Sequence, residues 1–126
     1  MEAIISAHAR LCNTITYHDF WWDNMAVATD ASSALMFDYN CMRRGCAFSD
    51  IRHILSVLTK EAGDAFLDAY GDYSAAEKAF EDVFFPLTGI LSAYRAEQFP
   101  AWAGKFEDLL RDGALLKRMN ILTQYL

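Results

Sequence analysis

Apolar residues recur at three- and four-residue spacing along most of the chain, the period of a helix with one buried face. Ile4, His8, Leu11, Ile15, His18 and Trp22 fall on one stripe and predict a long first helix. Asp30 is placed to cap a second helix that carries Leu35, Met36 and Tyr39 inward and stops at Gly45. Ser49 can cap a short third helix with Ile51, Ile54, Leu55 and Leu58 on one side. Thr59 then caps a fourth, which reaches Tyr70 and closes at Gly71. Strand-like alternation is hardly visible.

Ser74-Ala75-Ala76-Glu77 reads as a capping box, the start of a long fifth helix. Its body, from Phe80 through Val83, Phe84, Leu87, Ile90 and Leu91 to Tyr94, is apolar on more than one face, which predicts a helix surrounded by others. Pro86 removes a backbone donor within it and predicts a kink or a boundary. Phe99-Pro100 opens a sixth helix bearing Trp102, Phe106, Leu109 and Leu110, ended by Asp112-Gly113. Leu115, Leu116, Met119, Leu122 and Leu126 outline the last. With no repeat and no linker, residues 1–126 read as a single all-α domain, a bundle of about seven helices around a central hydrophobic one.

An apolar content of 54% against 22% charged excludes disordered and collagenous classes. The net charge of −6, with scattered bases, argues against nucleic acid. The run Val83 to Leu91 is far short of the roughly 20 residues a membrane span needs, and no basic flank marks a signal peptide at the N-terminus. Three cysteines, Cys12, Cys41 and Cys46, make no C-x-x-C pair and leave one odd, so they read as small core hydrophobes in a reducing cytoplasm.

Chemistry is sparse. His8 and Cys12 stand four apart, yet two ligands do not make a metal site, and neither His18 nor His53 completes a metalloprotease spacing. Asp19 with Asp23, and Asp64 with Asp68, are pairs that solvated helix faces produce routinely. No phosphate-binding glycine loop or hydrolase triad is visible, so neither an enzyme nor a cofactor is expected. The run Tyr17, Phe20, Trp21 and Trp22 is different: four aromatics within six positions cannot all enter one core from a helix. At least one is expected at the surface; a helix pinned between neighbours on two sides and a surface anchor for a partner both stay open, and Trp102 and Phe106 pose the same question.

Phe48-Ser49-Asp50-Ile51-Arg52, Glu61-Ala62-Gly63-Asp64-Ala65-Phe66-Leu67-Asp68, Leu87-Thr88-Gly89-Ile90-Leu91-Ser92-Ala93 and Leu116-Lys117-Arg118-Met119-Asn120 follow one another in the order of helices three, four, five and seven. In this order and spacing the chain resembles the Bcl-2-like proteins of poxviruses, of which the vaccinia virus inhibitors of NF-κB signalling are examples. The resemblance implies a viral immunomodulator in the host cell cytoplasm. Such a protein suppresses NF-κB or interferon induction by stoichiometric binding to a host kinase, adaptor or helicase.

Several members of that branch pair through their first and sixth helices, which implies a homodimer face or partner interface at Tyr17, Trp21, Trp22, Trp102 and Phe106. An end at Leu126 with no C-terminal anchor also suits it. The alternative is an apoptosis inhibitor whose groove, lined by Phe48, Ile51, Leu55, Phe66, Phe84 and Leu87, takes a death-motif helix of a pro-apoptotic Bcl-2 relative. Phe84-Phe85-Pro86-Leu87-Thr88-Gly89 lacks the arginine that holds such a helix in cellular relatives. A helical structural protein is the third reading.

Overall fold

The β-branched run Thr14-Ile15-Thr16 breaks the first helical stripe, because branched side chains are crowded on a helix and fit a pleated strand. In the computed structural model, which describes residues 2–126 and side chains from Ile4 onward, helix α1 is Glu2–Leu11 and stops before that run. There follow β1 (Thr14–Thr16), β2 (Met25–Val27), β3 (Ala34–Met36), β4 (Arg43–Gly45), α2 (Ala47–Val57), α3 (Lys60–Tyr70), α4 (Ala75–Ala93), α5 (Gly104–Arg111) and α6 (Ala114–Leu122). The described residues are mostly helical, with six α-helices and two short antiparallel ladders. The all-α expectation is corrected to this extent. The chain divides into two compact units, α1 with residues 75–126 and, separately, residues 12–74.

In the first unit α4 packs against α1, α5 and α6 and buries Phe80, Val83, Ile90 and Ala93. It begins at Ala75, directly after Ser74, and ends at Ala93 without the boundary expected at Pro86, which lies buried inside it. The unpaired carbonyl is satisfied from outside: the Arg118 guanidinium on α6 donates to the Asp82 oxygen, four residues before the proline, at 3.1 Å. Gly89 lets the Phe106 ring of α5 press on the backbone, since a Cβ there would lie 2.7 Å from Phe106 Cε2.

In the second unit β1 pairs with β4, placing Thr14 opposite Gly45 and Thr16 opposite Arg43. A disulfide joins Cys12 to Cys46 beside this ladder, and only Cys41 is free, exposed at the surface. This corrects the reading of all three cysteines as core thiols: the odd count concealed one bonded pair that strand pairing brings together. Arg44 reinforces the junction by donating to the Cys12 carbonyl at 2.9 Å and to the Asn13 side chain.

The predicted second helix is absent. Asp30 does not cap a helix; its carboxylate accepts from the Ser32 N–H at 3.0 Å and hydroxyl at 2.7 Å, closing a turn. That turn joins β2 to β3, with Met25 opposite Met36 and Ala26 opposite Leu35. Helix α3 follows the sequence closely: Thr59 accepts from the Ala62 N–H at 3.3 Å, and Gly71 takes the left-handed φ of 81°.

Candidate functional site

The site is built around Asp50, near the start of α2. Its two carboxylate oxygens accept the backbone N–H groups of Tyr17, at 2.7 Å, and His18, at 3.0 Å. These charge-assisted bonds hold a turn in which His18 takes a φ of 62°, a conformation few non-glycine residues adopt. Tyr17 is thereby turned inward, edge-on to Phe20 at 5.0 Å and to Tyr39 at 5.9 Å, and its hydroxyl donates to the Phe37 carbonyl. One aspartate thus ties the aromatic segment to α2, and one tyrosine ties the β2–β3 ribbon to the aromatic segment.

Two half-buried histidines flank this segment. His53 meets the rings of Trp21 and Phe20 edge-on, at 5.7 and 6.0 Å. Burial lowers both imidazole pKa values below the ordinary 6.5, with Arg43 adding to the effect at His18 and Arg52 at His53. His18 also lies 3.3 Å, through Nε2, from the Ser49 hydroxyl.

That approach does not amount to an activated serine. Arg43 can only donate, so at 3.2 Å it makes His18 Nδ1 the acceptor and leaves the proton on Nε2. Nε2–H then donates to Ser49, whose own proton goes to the Cys46 carbonyl at 2.7 Å. The bonds run Arg43 to His18 to Ser49 to backbone, opposite to the direction a general base needs. The chain of bonds fixes the turn.

The aromatic residues expected at an interface divide. Trp21 and Trp22 are 54% and 60% exposed, and Trp102 is also open to solvent, whereas Tyr17 and Phe106 are buried. Tyr17 and Trp21 lie outside α1, so they cannot form a first-helix dimer face. Trp102 and Phe106, edge-on at 6.2 Å, border a shallow pocket with Phe85, Thr88 and Gly89 in the first unit.

Of the groove residues, Ile51 and Phe66 line a pocket of about 280 Å³ in the second unit with Phe20, Ile54 and Tyr70. Phe48 is buried against Tyr73, and Leu55 is half-buried elsewhere on α2. Phe84, stacked on Phe80 at 4.9 Å, and Leu87 belong to the first unit. His8 lies against the Phe80 and Phe84 rings and Cys12 is in the disulfide, so the His8–Cys12 metal pair does not form. Among the described residues no cluster of three or more His, Cys, Asp or Glu could hold a metal, and no helix is long and apolar enough to cross a membrane.

Sequence reasoning missed the ribbon. Every residue from 29 to 44 is exposed, Leu35, Met36, Phe37, Tyr39 and Met42 among them. The signal available was Asp30-Ala31-Ser32-Ser33, a turn-forming cluster between two short apolar runs. Compared with known protein families, curated proteins and solved structures, the chain matches none.

Proposed function

We propose that this chain is a binding protein that acts stoichiometrically by covering part of another protein's surface. The observation that carries the reading is the pair Trp21 and Trp22, both more than half exposed directly before a ribbon that is open on both faces. Tryptophan supplies large contact area at low entropic cost and dominates interface energetics. An apolar ribbon of two strands is marginal in water and gains most from being covered.

The likeness to poxvirus Bcl-2-like proteins gives this reading its specific form, suppression of host signalling toward NF-κB or interferon induction by occupation of a kinase, adaptor or helicase. A reporter assay in host cells tests it. Suppression by the wild type and its loss in Trp21→Ser/Trp22→Ser are expected; no suppression by the wild type removes the viral form. That form acts in the cytoplasm, whereas the Cys12–Cys46 bond favours an oxidising compartment. Alkylation of free thiols in intact cells, followed by mass spectrometry, decides between them.

A second reading rests on the pocket lined by Phe20, Ile51, Ile54 and Phe66, which would take apolar side chains of a death-motif helix. Calorimetric titration with such peptides tests it: submicromolar binding supports the groove, and the absence of heat at any temperature removes it.

A further inference from the structure

Residues 19–42 contain Asp19, Asp23, Asp30 and Asp38 and no lysine or arginine. Among the described residues none of the four is in an ion pair; three receive neutral donors, Asp19 the Asn24 amide, Asp30 Ser32 and Asp38 Asn40. Of the arginines that follow, Arg43 is engaged by His18 and Arg44 by Cys12 and Asn13. Among these carboxylates stand the exposed Trp21, Trp22, Val27, Leu35 and Met36. The ribbon offers apolar groups on both faces, Val27 and Met36 on one and Leu35 on the other.

Covering either face draws nearby carboxylates out of water, which is unfavourable unless a cation comes with the covering group. A second copy of this chain would bring four more aspartates to the same place. A cationic segment removes both penalties, and opposite charge also speeds encounter. We infer that the acid-rimmed ribbon of residues 19–42 receives a segment of another protein in which basic residues alternate with large apolar ones. The inference rests on the binding reading above and adds the partner's chemistry to it.

The probe is a short, fluorescently labelled peptide of alternating lysine and leucine, compared by anisotropy with its glutamate–leucine counterpart. Only the lysine peptide should bind, more weakly as salt is raised. Trp22→Ser/Leu35→Ser should weaken it at least about tenfold. Asp23→Asn/Asp38→Asn, which keeps the Oδ1 acceptor at position 38 and so its turn, should weaken it and flatten the salt dependence. Asp64→Asn/Asp68→Asn, the same change of charge on α3, should leave affinity within about twofold.

Equal binding of both peptides, or equal weakening by the two aspartate pairs, overturns the inference. So does a doubled mass in light scattering that Trp22→Ser/Leu35→Ser returns to the monomer, because the occupant is then a second copy. If the peptide fails while Trp21→Ser/Trp22→Ser still abolishes suppression in the reporter assay, the charge inference falls and the binding reading stands.

Discussion

Arg118 supplies the hydrogen bond that Pro86 cannot. Its guanidinium donates, at 3.1 Å, to the Asp82 carbonyl, the acceptor left idle where α4 lacks one N–H. A helix can therefore run unbroken through a buried proline because a neighbouring helix completes its ladder.

The relationship makes a thermodynamic cycle informative. Arg118→Met should lower stability by about 1–3 kcal/mol, the penalty of leaving a partly buried carbonyl unpaired. In a Pro86→Ala background the helix regains its own donor, and the same substitution should cost under about 0.5 kcal/mol. Urea unfolding of the four proteins checks this; equal costs in both backgrounds refute the pairing.

Gly89→Ala sets helix propensity against packing. Propensity favours alanine by about 1 kcal/mol, whereas the added methyl would lie 2.7 and 2.8 Å from two carbons of the buried Phe106 ring. Overpacking of this kind costs about 1–3 kcal/mol, so net destabilisation is expected. Combination with Phe106→Leu should cost less than the two changes summed, and thermal melts give the answer.

The Cys12–Cys46 bond spans 34 residues of chain, and its removal by Cys12→Ala/Cys46→Ala should cost about 2–4 kcal/mol. Titration of the native protein with a thiol reagent should find one reactive group, Cys41. Three equivalents without denaturant would show that the bond does not form.

Acid should loosen the second unit. His18 and His53 both have pKa values below 6.5 in the fold, so between their folded values and 6.5 the unfolded chain binds more protons. The stability they support is complete above pH 6.5 and is lost as pH falls through the folded values. The urea midpoint should drop between pH 7.5 and 5.5, and drop less in His18→Asn/His53→Gln. Asparagine suits position 18 because it tolerates a positive φ. An unchanged pH slope in that variant would exclude the histidines as the cause.

How much of this was legible in the sequence depended on how local each determinant is. Thr59 and Gly71 bound α3, because caps act within a few residues of the helix they end, and α4 starts at Ala75 where the sequence placed it. From Cys12 to Asp50 the decisive contacts join distant residues: Thr14 with Gly45, Tyr17 and His18 with Asp50, Cys12 with Cys46. There Leu35, Met36 and Tyr39 have helical spacing without an α-helix, since no core pulls them to one side and all three are exposed. At the candidate site, the expectation of a surface aromatic among Tyr17, Phe20, Trp21 and Trp22 rests on a helix; Trp21 and Trp22 are exposed, but this segment forms no α-helix. The Asp50 clamp, which decides which of the four turns inward, left no trace in periodicity.

The Cys12–Cys46 bond also determines what proteolysis would do. The exposed run from 29 to 44, where a protease would cut first, lies wholly inside the covalent ring that the bond closes. A single nick there opens the ring without separating the pieces. The cleaved protein should migrate as one chain on a non-reducing gel and as two once reductant is added.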